Sequence, residues 1–364
     1  MSQSLERCPD SASQLDPTLD SGPVKEGLRG EHTTLEVMQK ATCEAGRMRG
    51  VHRRRLLLGA GAFAASAAAA AADARAQRAG RTRLVLLGTK GGPRVGGERA
   101  NPANLLQVDG VPYVVDCGYG VARQLVAAGV PLTSLRYVFI THHHSDHNLD
   151  YGNLAYNAWA SGLASRVEAF GPRGLEEMTR TYWALNRFDV ETRIADEGRR
   201  DPRGLLVAKD IAESGPVMQD ERVRVTAFRT PHPPIEDNFA YRFETPDGAV
   251  VFSGDTAYNP ALADFARGAD VLVHEVLHEP GVDALVSSIP NAATLKKHLV
   301  DSHTTTEDVG RIAARAGVKL LVLSHFVPGD MPSITDAMWL EGVRRHFAGR
   351  AVVGKDLMEI TLPL

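Results

Sequence analysis

The stretch that decides the fold of this chain is Tyr137-Val138-Phe139-Ile140-Thr141-His142-His143-His144-Ser145-Asp146-His147. Its first four residues are apolar and partly β-branched, which predicts a short buried strand. The histidines and the carboxylate follow at the carboxyl end of that strand, where α/β sheets usually place their chemistry. Successive side chains of an extended segment alternate between two sides. We therefore expect His142, His144 and Asp146 to point the same way, with His147 following as the chain turns.

This residue composition predicts a metal site rather than a solvated polar loop. Imidazole nitrogens and carboxylate oxygens are the ligands that zinc and similar metals bind. Only one register fits the spacing, and it leaves His143 as a spacer that points away. The remaining candidate ligands each follow a separate apolar strand further along the chain, which distinguishes them from histidines scattered on a surface: His232, Asp255 and His325.

The composition is that of an ordinary globular protein. The chain has 364 residues, 43% of them hydrophobic, and a net charge of −3. Nucleic-acid binding usually calls for a strongly basic face, which this charge balance does not suggest. From residue 83 onward, short apolar strands alternate with helical segments, which predicts a single α/β domain large enough for a sizeable core.

The front of the chain differs from the rest. Residues 1–50 are rich in Ser, Asp, Glu, Gly and Pro, which predicts a disordered extension. Met48 stands where a signal peptide would normally begin, so the preceding 47 residues could instead reflect a misassigned start. Residues 51–76 combine three consecutive arginines, Arg53 to Arg55, with an Ala-rich apolar run and an Ala-x-Ala end, which predicts a twin-arginine-like signal peptide. We therefore expect a periplasmic or secreted protein without a stable membrane anchor, with its domain at residues 77–364.

Four motifs together resemble those of a known family. They are His-x-His-x-Asp-His from His142, a lone His232 before a strand that bears Tyr241, Ser-Gly-Asp-Thr around Asp255, and Ser-His-Phe around His325. In this order they resemble the metallo-β-lactamase-fold hydrolases, in the ribonuclease Z and arylsulfatase-like branch, over nearly all of residues 83–364. The resemblance implies an α/β fold of the four-layer αββα sandwich type, with helices outside two central sheets.

The same resemblance implies a centre of two divalent metal ions, zinc in the first instance, with manganese or iron as alternatives. One ion would be held by His142, His144 and His232, and the other by Asp146, His147 and His325, with Asp255 bridging them. Asp146 would also orient the attacking hydroxide. Asp116, in an early Asp-x-Gly, would support the metal-binding loop by hydrogen bonding.

A second pair of residues matches positions where ribonuclease Z-like enzymes carry a Glu–His pair. His303 would hydrogen-bond the scissile group and protonate the leaving oxygen, and Glu275 would hold it. The alternative is a helix cap for His303 and a surface carboxylate for Glu275. For His278 and His298 the sequence leaves open whether they lie in the pocket. We expect His274 and His346 to be structural or exposed.

The expected function is hydrolysis of a small phosphodiester or aryl sulfate ester. Metallo-β-lactamases and lactonases share the metal cluster but generally lack the Glu–His pair. A lactonase or other acyl hydrolase of the same fold remains an alternative, as does a non-catalytic metal- or ligand-binding protein. The sequence does not identify the substrate.

The expected partner is a small-molecule ester. Ribonuclease Z grips tRNA with a long Gly- and Pro-rich arm, and residues 148–231 show no such arm, so we do not expect a nucleic-acid partner. The sequence leaves the oligomeric state open, a homodimer included.

Overall fold

The computed structural model describes residues 81–364, apart from residues 288, 290 and 291. The predicted extension and signal peptide, residues 1–76, lie outside the described residues. Within the described ranges, no helix is both long enough and apolar enough to cross a membrane.

Two seven-stranded mixed sheets form the centre of the domain. The first sheet has the order β14-β1-β2-β3-β4-β5-β6 and comprises β1 Thr82–Gly88, β2 Ala103–Val108, β3 Val111–Val115, β4 Tyr137–Phe139, β5 Val167–Pro172, β6 Leu206–Ile211 and β14 Glu359–Leu362. The second has the order β13-β12-β11-β10-β9-β8-β7 and comprises β7 Gly215–Gln219, β8 Arg224–Arg229, β9 Phe239–Thr245, β10 Gly248–Phe252, β11 Val271–Leu277, β12 Leu320–Val327 and β13 Arg350–Val353.

A tight hairpin joins β2 and β3. Asp109 and Gly110 both have positive φ angles, 49° and 80°, as a two-residue turn between twisted antiparallel strands requires. Beyond it, β3, β4 and β5 run parallel. Their carboxyl ends therefore meet at one edge of the sheet, where the histidine cluster follows β4.

An aromatic core fills the space between the two sheets. The Phe139 ring lies 5.5 Å from that of Tyr241 and 5.1 Å from that of Phe243, measured between centroids. The Tyr241 hydroxyl donates a hydrogen bond of 2.8 Å to the carbonyl oxygen of Ile140. Because Ile140 immediately precedes the metal-binding stretch, this contact fixes the end of β4 against the second sheet.

The described helices lie outside the sheets, and each sheet packs its outer face on them through a separate apolar core. This arrangement confirms the predicted four-layer αββα sandwich. The helices are α1 Val121–Ala127, α2 Ser145–Asn148, α3 Tyr151–Ala160, α4 Leu175–Leu185, α5 Arg187–Glu197, α6 Pro260–Phe265, α7 Glu279–Ser287, α8 Ala293–Ser302, α9 Thr306–Ala316 and α10 Asp336–Arg344.

Two local predictions were wrong in detail. The histidine stretch is extended only as far as His144, and α2 then carries Asp146 on its first turn. The strand β12 continues beyond its apolar run, so His325 lies within a strand rather than after it. The strand β11 likewise includes Glu275. At the start of α9 the hydroxyl of Thr305 accepts from the amide of Asp308 and caps the helix.

Candidate metal centre

Four donor atoms of the first predicted ligand group converge. His142 Nε2 lies 3.0 Å from His144 Nδ1, and His232 Nε2 lies 3.1 Å from the same atom. Asp255 Oδ2 lies 3.9 Å from Nε2 of both His142 and His232. His142 and His144 come from the turn after β4, whereas His232 and Asp255 follow β8 and β10. The group therefore spans both sheets.

The second predicted group adjoins the first at Asp255 Oδ2. His325 Nε2 lies 3.4 Å from Asp146 Oδ2, and His147 Nε2 lies 3.6 Å from it. Asp255 Oδ2 lies 3.1 Å from His325 Nε2 and 3.3 Å from His147 Nε2. The structure thus brings all seven predicted ligands together, with Asp255 between the two groups.

Two histidines can each present a lone pair to this centre when their rings are neutral. His232 Nδ1 donates to the carbonyl oxygen of Ser302 at 2.8 Å. His147 Nδ1 donates to Asp116 Oδ2 at 2.9 Å. A neutral imidazole has only one N–H, so Nε2 of each ring faces the centre as an acceptor.

The buried atoms that face the centre lack enough hydrogen-bond donors. Among the described residues, His147 Nε2 and Asp255 Oδ1 are buried without a hydrogen-bond partner. Acceptors crowded at such distances repel one another unless a cation lies between them. The donor set therefore fits two divalent cations held by imidazole and carboxylate ligands.

The electrostatics of the centre favour positive charge. Burial lowers the pKa of His144 and of His232 to about 4, which keeps both rings neutral. At His147 burial also lowers the pKa, but the carboxylates of Asp255, Asp116 and Asp146 outweigh it and raise that pKa well above its usual value. Burial raises the pKa of Asp146, yet His147 and His325 outweigh it and hold the value at about 2. A cation that binds here meets ionised carboxylates and the neutral rings of His144 and His232, and it would replace the proton that the carboxylates favour on His147.

Asp116 and the Gly92 amide hold the ligands in place. Asp116 Oδ1 accepts from the backbone amide of Thr141 at 2.8 Å, while Oδ2 accepts from His147. The supporting role expected for Asp116 thus has a geometric basis. On the other side, the Gly92 amide donates to Asp146 Oδ2 at 2.9 Å. The glycine-rich loop therefore contacts a ligand through its backbone.

Glu275 and His303 also lie together beside the centre. Glu275 Oε2 is 3.3 Å from His303 Nδ1, and Oε1 accepts from the Thr304 amide at 2.6 Å. Burial lowers the pKa of His303 to about 4, and burial together with the nearby Asp255 raises the pKa of Glu275. Because Nδ1 faces the carboxylate, Nε2 is the nitrogen of His303 that remains for a substrate. Glu275 is buried, so it is not a surface carboxylate.

The other histidines differ in whether they line the cavity over the centre. His143 Nε2 turns to the carbonyl oxygen of Arg173 at 3.2 Å, away from the convergent atoms. His298 lines the cavity over the centre, with its ring 6.2 Å from that of His144. His278 packs against Trp339 instead. Of the two expected to be structural or exposed, His274 is fully buried and bonded to the Glu275 carbonyl oxygen, and His346 lies at the surface near Glu307.

A cavity of about 380 Å³ opens over the centre. His144, Asp146, Asp255, His303 and His325 form its floor. Its walls come from three segments: the loop after β1, the helices α7 and α8, and the loop after β12. The sequence leaves a pocket position open for His298 of α8, but no residue type in the loop after β12 indicates a pocket wall.

Comparison with known proteins identifies the class. The model of the beta-lactamase superfamily domain matches residues 113–326. The metallo-beta-lactamase fold protein YhfI from Bacillus subtilis has 20% identity and a TM-score of 0.58, covering 77% of this chain and 98% of that one. Human tRNase Z, short form, has 20% identity and a TM-score of 0.57, covering 78% and 100%. At these identities the two structures show the fold alone.

A relative with a more similar sequence shows where the chain belongs within this class. Ribonuclease Z of Mycolicibacterium paratuberculosis is 31% identical over 280 residues, which cover 76% of this chain and 97% of the relative. The chain therefore belongs to the beta-lactamase superfamily and is a homologue of ribonuclease Z within it. It is a metal-dependent hydrolase that acts on ester bonds.

The same match bears on the expected partner. It covers 97% of the ribonuclease Z of M. paratuberculosis, so that relative has no long segment outside the match. The absence of a predicted arm in residues 148–231 thus does not separate this chain from that relative. The expectation against a nucleic-acid partner loses this support.

Proposed function

We propose that this chain is an exported dinuclear hydrolase of small phosphodiester or aryl sulfate esters. The observation that supports it most is the convergence of seven donor side chains in two groups that adjoin at Asp255 Oδ2, beneath a cavity that His303 also lines. Two divalent ions, zinc in the first instance, would supply a water activated near neutral pH and charge stabilisation for the reacting oxygens. His142, His144 and His232 would hold one ion, and Asp146, His147 and His325 the other.

The chain's own residues would then complete the reaction. Asp146 is held by the Gly92 amide and can accept a hydrogen bond from the attacking water, which orients it. Glu275 holds His303 through Nδ1, and an anionic ester beside the ring would favour its protonated form. His303 Nε2 would then donate that proton to the departing oxygen. A proton donor in this position favours an ester whose departing oxygen is a poor leaving group.

A second candidate substrate is RNA, because the relative described above is named ribonuclease Z. A ribonuclease and a small-ester hydrolase both cleave phosphodiesters, so the centre alone does not separate them. The cavity of about 380 Å³ is of the size that encloses a small ligand, and this favours the small ester.

The test is a substrate panel on the domain from residue 77, loaded with zinc or manganese. Aryl phosphodiesters, aryl sulfates, lactones and a structured precursor RNA are compared by kcat/KM. The proposal expects turnover of the phosphodiesters or sulfates and little of the lactones. Cleavage of RNA with an efficiency far above that of any small ester would replace the proposal by the second candidate. No turnover of any compound, with two metal equivalents bound, would favour a binding protein.

Export is a separate part of the proposal and rests on residues 51–76. Replacing the three arginines Arg53, Arg54 and Arg55 with lysine should leave an unprocessed precursor in the cytoplasm. The matched control is the unaltered chain in the same host. Processed protein outside the cytoplasm despite the lysines would contradict export by the twin-arginine route.

A further inference from the structure

The cavity over the metal centre has two chemically unlike sides. One part of its lining is His303 with four of the candidate ligands, His144, Asp146, Asp255 and His325. Another part is an apolar wall that comes largely from the helices α7 and α8 and the loop after β12. Its apolar side chains are Leu285, Leu295, Leu299, Val327, Pro328 and Met331.

We propose that this wall is a subsite for a compact apolar group of the ester, an aryl or short branched alkyl group, seated beside the bond that is cleaved. The inference rests on the proposed function and specifies its substrate class. The apolar wall and the donor atoms of the centre line one continuous cavity. A substrate bound through its ester group at the centre therefore places its adjoining substituent against the leucines.

The wall is not simply the edge of a core. Leu299 packs partly against a small buried cluster of Leu277, Val282 and Val327, which gives it a structural role. Leu295 belongs to none of the apolar clusters formed by the described residues, yet it is half-buried and lines the cavity. When an apolar ligand group displaces water from such a half-buried side chain, the free energy of binding becomes more favourable.

The rim of the cavity adds a preference for anions. Arg94 is exposed and lines the cavity, and no residue in the described part of the chain forms an ion pair with it. Lys90, by contrast, is buried and already paired with Asp330. The charge at the rim suits an anionic phosphodiester or sulfate. The apolar wall suits an apolar substituent of such an ester. A polar ester without that substituent would leave the leucines of the wall exposed to water.

The first experiment measures binding, independently of turnover. The zinc-loaded domain is titrated with methylphosphonate and with phenylphosphonate by calorimetry, in the wild type, in Leu295→Asn and in the control Leu185→Asn. Leu185 is a surface leucine of α4 that is 80% exposed. Phenylphosphonate should bind at least about tenfold more tightly than methylphosphonate, and Leu295→Asn should remove most of that difference. Leu185→Asn should retain it. Equal binding of the two phosphonates to the wild type would overturn the subsite.

The second experiment measures kcat/KM for methyl, butyl and phenyl 4-nitrophenyl phosphates, which share one leaving group. Efficiency should rise with the apolar group, by up to about fourfold for each methylene that is buried. In Leu295→Ala and Met331→Ala the ratio of kcat/KM for the phenyl ester to that for the methyl ester should fall, whereas the surface control Leu185→Ala should keep the ratio of the wild type. Turnover of all esters at one efficiency overturns the subsite but leaves the proposed function intact. No turnover of any ester, with phenylphosphonate still preferred, overturns the proposed function but leaves the subsite.

Discussion

The two sheets supply the candidate ligands in different ways. After β4 of the first sheet, four of them stand within six residues, from His142 to His147. The second sheet supplies His232, Asp255 and His325 singly, from the region of β8, β10 and β12. Each ligand group nevertheless combines side chains of both sheets. The local cluster can therefore form only half of each site, and the centre exists only when the sheets are packed together.

The largest effect should follow from removing the residue that the two groups share. Asp255→Ala should lose both metal equivalents, and activity should fall by more than the roughly ten-thousandfold that marks the upper range for loss of a general acid. The reason is that Asp255 Oδ2 adjoins the nitrogen atoms of both groups. Elemental analysis and kcat/KM give the two readouts.

The matched control is His143→Ala, which lies between two ligands but turns to the Arg173 carbonyl oxygen. It should keep both equivalents. A loss of metal as severe in His143→Ala as in His144→Ala would show that the register of the first-sheet cluster is wrong.

The next effect concerns His303, the proposed proton donor, and Glu275, which holds it. His303→Ala should keep both metals, yet slow alkyl esters by about a hundred- to ten-thousandfold, because a poor leaving group needs a proton. Nitrophenyl esters depart without that help and should slow much less. Glu275→Gln should show the same pattern more mildly, since it disturbs His303 without deleting it. The measurement is kcat/KM against leaving-group pKa. Equal losses along the whole series would remove His303 from the role of proton donor.

A smaller effect should separate the two ligand groups. In Asp116→Asn an amide N–H would face His147 Nδ1, which favours the tautomer with its proton on Nε2, toward the centre. The second group should then lose affinity for its metal by about ten- to a hundredfold, the usual cost of disturbing a residue that orients a ligand. The first group should keep its metal, so one equivalent should dissociate first in a chelator titration. Asp210→Asn, an exposed carboxylate that accepts from the amides of Gly174 and Glu176, is the control. Simultaneous loss of both equivalents would mean that the groups do not behave separately.

The smallest effect tests the contact between the sheets. Tyr241→Phe removes the hydrogen bond to the Ile140 carbonyl oxygen and should lower the free energy of unfolding by about 1 kcal/mol. Tyr182→Phe removes an exposed hydroxyl bonded to Asn153 and should cost less. Denaturant unfolding of the two variants, without metal, gives the comparison. If both variants lose the same free energy of unfolding, the Tyr241 hydrogen bond to Ile140 does not stabilise the fold more than an exposed hydrogen bond does.

The same contrast explains what the sequence could predict. The spacing from His142 to His147 is local, so residue types alone located it, and the apolar strands before His232 and Asp255 located these two. The Gly92 amide could not be found in this way, because a backbone donor has no residue type. Thr304 and Thr305 are both good capping residues, and only their backbone conformations decide between them. Leu295 resembles any helix leucine until the fold places it over the centre.

The most direct test of the account is anomalous diffraction from crystals of the zinc-loaded domain, recorded at the zinc edge. We expect two peaks of anomalous density. One should lie among His142, His144 and His232 and the other among Asp146, His147 and His325, both within bonding distance of Asp255. A single peak, or a peak that does not contact Asp255, would contradict the shared centre on which the proposed chemistry depends.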